Sequence, residues 1–115
     1  MKDLKISKEL IEEVMKDKGT FETININKNE LSTFGVLGHH IFSINIYEFT
    51  FKCKEWAKNK EYIVHSSPTQ KIEHTAIVQS FDINKFYYGE NQFYALTEVE
   101  AIIKACEWIL SEVNK

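Results

Sequence analysis

Four histidines and two cysteines are the side chains of this 115-residue sequence best suited to proton transfer, nucleophilic attack or metal binding. His39 and His40 are adjacent and follow Gly35-Val36-Leu37-Gly38. In a strand the two imidazoles would point to opposite faces and could not share a metal. In a loop before a strand, the glycines would let a ligand approach the backbone. Gly38, His39 and His40 therefore define a ligand-binding reading, with Tyr87 or Tyr88 as aromatic contributors to a concave site. His65 and His74 form a second pair. If the strands around them make a hairpin, the eight-residue loop Ser66–Glu73 sets them opposite one another. Their Cβ atoms would then be about 5 Å apart, close enough to share a metal or to repel once protonated. No third ligand lies nearby in sequence, so a structural role is preferred for both, and no metal or cofactor is expected.

Familiar catalytic motifs are missing. There is no G-x-S-x-G elbow, H-E-x-x-H pair, Walker loop or C-x-x-C. The G-x-x-G of Gly35–Gly38 differs from the KH-domain loop, which joins two helices and faces phosphates with polar or basic groups. Here Val36 and Leu37 are central and a strand pattern follows. Cys53 and Cys106 fall on core-facing helical stripes, which suits buried, reduced thiols better than an exposed nucleophile. Residues remote in sequence can still converge, so missing motifs do not by themselves exclude an enzyme, although a non-catalytic role is the preferred reading.

Composition narrows the partners. The formal net charge is −3, and all fourteen basic residues are lysine. Arginine is the usual forked ligand for phosphate and guanine edges, so its absence disfavours nucleic acid. Phe86, Tyr87, Tyr88, Phe93 and Tyr94 could form a stacking platform, but a sheet face packed on the final helix explains them more simply. No apolar run approaches the roughly 18 residues of a membrane span. The charged N-terminus does not resemble a secretory signal, so no membrane association and a cytoplasmic location are expected. With 43% hydrophobic residues and one proline, residues 1–115 should form a single folded domain rich in regular structure.

The elements that would position these groups follow from periodicity. A helix is predicted over Lys8–Lys18, with Ser7 as its cap, an Ile6/Ile11 staple and Gly19 past its end. Strands are predicted over Phe21–Asn27 and His40–Ile46, with residues 28–38 left undecided between a helical turn and an apolar loop. Phe49, Cys53, Trp56 and Ala57 share one face of a helix over Tyr47–Lys60. Two more strands, Glu61–Ser66 and Glu73–Asp82, precede a hairpin over Lys85–Ala95. The last helix is the clearest: Thr97 and Glu100 form a capping box, and Val99, Ile102, Ile103, Cys106, Ile109, Leu110 and Val113 make one stripe. The expected fold is a two-layer α+β domain, with a mostly antiparallel sheet of four to five strands and three helices on one face.

One feature of the last helix points to a partner. At about 100° per residue, Trp108 lies opposite the main stripe, on the same side as Ala101 and Ala105. This second strip must be covered either by the chain itself or by another molecule. Phe51 projects away from the apolar face of its own helix in a similar way. If both belong to one patch, a two-fold axis would bury it twice. The sequence therefore leads to a non-catalytic module that self-associates, as a dimer, or docks on a protein partner, with Ala101, Ala105, Trp108 and Phe51 at the interface. The competing reading is a small-molecule site or small enzyme around Gly38, His39 and His40.

Overall fold

In a computed structural model of the chain, the described residues are 4–68, 73–80 and 91–115. Ser7 opens helix α1, Lys8–Val14, and its Oγ accepts the Leu10 N–H at 3.1 Å. Ile6 and Ile11 are both buried, as the staple requires. The α-helical part is shorter than the apolar spacing predicts. Met15 leaves the helical conformation, and Lys16–Lys18 continue as a 3₁₀ turn that ends at Gly19, whose φ is 85°.

Of the undecided residues 28–38, Glu30–Phe34 form a strand, and Val36–Gly38 form a short 3₁₀ turn. Strands β1 (Thr23–Asn27), β2 (Glu30–Phe34) and β3 (His40–Asn45) form an antiparallel sheet in that order. The β1–β2 turn is Lys28-Asn29, with Lys28 at the left-handed φ of 57°. Within β2, Leu31 and Thr33 point inward and are fully buried. The Thr33 hydroxyl donates to the Phe42 carbonyl at 3.4 Å, which satisfies it in the core. Residues 35–39 link β2 to β3. Ile41 Cδ1 would sit 3.1 Å from a Cβ at position 35, so a side chain there would require Ile41 to shift by a few tenths of an ångström.

Strand β3 runs directly into helix α2, Ile46–Asn59. Asn45 ends the strand and caps the helix, its Oδ1 accepting the Tyr47 N–H at 2.8 Å. The Asn29 carbonyl accepts the Ile46 N–H at 2.7 Å, tying the first turn of α2 to the β1–β2 turn. Helix α2 buries Ile46, Phe49, Thr50, Cys53, Trp56 and Ala57. Strands β4 (Tyr62–Pro68), β5 (His74–Ser80) and β6 (Gln92–Ala95) make a second antiparallel sheet. Helix α3, Glu98–Val113, follows, and its cap Thr97 Oγ1 accepts the Glu100 N–H at 3.2 Å.

The α+β architecture with three α-helices is as the periodicity implies. Its six described strands form two sheets, because the chain leaves the first through α2 and starts the second without returning. Helix α3 packs on β4, β5 and β6 and also on α2, while α1 touches both longer helices. Positions 62, 64, 76, 78, 93 and 95 share the helix-facing side of the second sheet by register. Tyr62, Val64, Ala76, Val78 and Ala95 are buried there, whereas Phe93 is partly exposed.

Candidate functional site

Trp108 finds aromatic neighbours within its own chain. Its ring meets Tyr62 edge-on at 6.2 Å between centroids and lies 6.0 Å from Phe93. Ala101 and Ala105, on the same side of α3, are fully buried. The second apolar strip therefore has much of its cover from within the chain, with Trp108 left partly exposed. The physical reason is that α3 packs against α2 and against β4–β6, while α2 itself also touches β4. Small residues at 101 and 105 allow close approach, and the indole fills space beside Tyr62 and Phe93.

Phe51 behaves differently. It stays 62% exposed on α2, with Tyr47, 56% exposed, one turn before it. Across from them Leu96, 67% exposed, precedes α3. These three side chains line one cleft of about 630 Å³, together with Asn29, Thr50, Lys54, His74, Thr97, Glu98, Val99 and Ile102. The volume falls within the range of roughly 300–1,000 Å³ typical of ligand sites. Local bonds occupy several of its polar groups. The Thr50 hydroxyl donates to the Tyr47 carbonyl at 2.8 Å, and Glu98 Oε1 accepts from Ser66 Oγ at 2.7 Å. Lys54 and His74 are the cleft's remaining basic side chains.

The sequence signal for this cleft was incomplete but present. Tyr47 and Phe51 are spaced i, i+4 on the side of α2 away from Phe49, Cys53 and Trp56. Leu96 and Lys54 carried no distinguishing mark, because their meeting with the aromatics depends on how α2 and α3 are placed.

The histidine readings do not assemble a site. His39 is exposed at the end of the loop that joins β2 to β3, a strand-to-strand connection unlike the helix-to-helix setting of a KH loop. The loop tip is apolar and open, with Leu37 93% exposed at φ 60° and Gly38 at φ 76°. His40 lies on the outer face of the first sheet, where Nε2 is 2.7 Å from Ser43 Oγ. Ser43 Oγ is 2.8 Å from Ser32 Oγ, which donates to Glu30 Oε1 at 3.5 Å. A serine hydroxyl beside an imidazole has the spacing of a nucleophile and its base. This pair, however, is exposed on an open sheet face and is not part of the cleft lined by Tyr47, Phe51 and Leu96. Tyr87 and Tyr88 lie outside the described residues.

His65 and His74 do not face each other. His65 pairs with Ile77, and His74 pairs with Pro68. Ile77 and His74 are three positions apart on one strand, which puts the two imidazoles on opposite faces. The hairpin forms, but its register differs from the one that would bring them together. Among the described residues no group of three His, Cys, Asp or Glu side chains could hold a metal.

Cys53 and Cys106 are both buried and free, on facing turns of α2 and α3. The Cys106 thiol donates to the Cys53 carbonyl at 3.8 Å. Burial, reinforced by the hydrogen bond with Cys106, pushes the Cys53 thiol well above its ordinary range. A thiol held protonated in this way is a poor nucleophile. No helix among the described residues is long and apolar enough to cross a membrane. Comparison with protein families, with curated proteins and with solved structures finds no match to the chain.

Proposed function

We propose that the protein is a non-catalytic binding module that takes an apolar segment of a protein partner into the cleft between α2 and the start of α3. The observation that carries this reading is the convergence of Tyr47, Phe51 and Leu96, all largely exposed, on that one cleft. Scattered apolar side chains on a surface need no explanation, but a group of three around a concavity does. Aromatic side chains at such a site act as anchors, losing little rotamer entropy for the area they contribute. Lys54 and His74 at the wall favour a segment that also carries acidic or carbonyl groups. The two free, buried thiols suit a reducing compartment such as the cytoplasm.

The test is site-specific photocrosslinking in the native host, with the reactive side chain at position 51 and a control at exposed Gln79 on β5. A discrete adduct from position 51 that disappears when Leu96→Lys is added supports docking in the cleft. Equal labelling from both positions, or an adduct indifferent to Leu96→Lys, would remove the proposal.

A further inference from the structure

Strand β1 and its flanking residues read Glu22-Thr23-Ile24-Asn25-Ile26-Asn27-Lys28. Among the described residues β1 is an outer strand, hydrogen-bonded only to β2. Outer strands are normally guarded by a charge, a proline or a bulge, because their open edge invites another strand. Thr23–Asn27 contains neither charge nor proline, and the irregularity in this sheet lies on its other side, at Thr33/Phe34 against β3. Ile24 and Ile26 point toward the core yet remain partly exposed.

We propose that β1 pairs antiparallel with β1 of a second copy, across a two-fold axis at Asn25, joining two three-stranded sheets into one of six. The segment is self-complementary in that register. Asn25 faces the same residue of the other copy, Ile24 faces Ile26, and Thr23 faces Asn27. Apolar side chains thus meet on the core side and polar ones on the solvent side. Just beyond the strand ends, this register brings exposed Glu22 of each copy near exposed Lys28 in the β1–β2 turn of the other, giving two opposite-charge contacts. Neither side chain has an ion-pair partner among the described residues. A shift of the axis by one residue, to Ile24, places Glu22 opposite Ile26 and loses both contacts, so charge selects the register. The pairing is independent of the cleft and survives substitution at Phe51.

Mild oxidation of two single-cysteine additions tests the axis. Both sites are exposed, and the native thiols are buried. Asn25→Cys is expected to crosslink into a disulfide dimer, because that residue meets its own copy. Thr23→Cys is expected to stay monomeric on a non-reducing gel, because it faces Asn27. In sedimentation, Glu22→Lys converts two attractive contacts into two repulsive ones and is expected to weaken the dimer about tenfold, or about 1.4 kcal/mol. Adding Lys28→Glu to the same chain is expected to restore it. A wild-type chain that sediments as a monomer at every concentration overturns the proposal. So does a Thr23→Cys variant that crosslinks as fully as Asn25→Cys.

Discussion

Replacing Trp108 by alanine should lower the stability of the folded chain and leave its association untouched. The indole stands at 84° to the Tyr62 ring, 6.2 Å away, and at 48° to the Phe93 ring, 6.0 Å away. Each aromatic pair of this kind contributes about 0.5–1.5 kcal/mol beyond the area it buries. Truncating a fully buried tryptophan costs about 3–5 kcal/mol. Trp108 is only partly buried, which moves the expected loss to about 2–4 kcal/mol, a large part of a typical domain's stability of ~5–15 kcal/mol. Urea unfolding followed by circular dichroism reads this as a lower midpoint at unchanged slope. A double-mutant cycle with Phe93→Ala should return a coupling of about 0.5–1.5 kcal/mol. An unchanged midpoint in Trp108→Ala, with assembly lost instead, would refute the intramolecular packing and return the indole to an interface.

Three further substitutions probe the frame. Ser7→Ala removes both the bond from the Leu10 N–H and the 2.6 Å bond to Glu107 Oε1, so urea unfolding should show a loss of about 1–2 kcal/mol. Gly38→Ala meets no atom within 4 Å at φ 76°, so its cost is backbone strain alone, about 1 kcal/mol in the same assay. The folded-state pKa of Cys53 lies above its unfolded value, so its contribution is intact below about pH 8.5 and is lost as the pH rises further. Wild-type stability should therefore fall more steeply toward alkaline pH than that of Cys53→Ala, compared by urea midpoints across that range.

Local chemistry was legible in the sequence. Ser7 and Thr97 cap the helices that their spacing marks, and the α3 stripe is buried from Val99 to Leu110. Strand β2 was not legible, because its turn, Lys28-Asn29, contains no glycine and places a lysine at positive φ. The division into two sheets was hidden for another reason. Alternation shows that a strand has two faces but does not show which other strand it joins.

Trp108 and Phe51 define the limit of that reading. Each is an aromatic residue lying off the main apolar stripe of its helix, and periodicity treats them alike. Their fates differ because Trp108 meets Tyr62 and Phe93 of the second sheet, whereas the Phe51 side of α2 opens onto a cleft. A helical pattern specifies how many apolar sides must be covered, and topology decides by what. Where the chain supplies the cover, as at Trp108, the residue belongs to folding energetics. At Phe51 the exposed ring has Tyr47 and Leu96 beside it and no covering layer among the described residues, so the same kind of signal becomes an argument for binding.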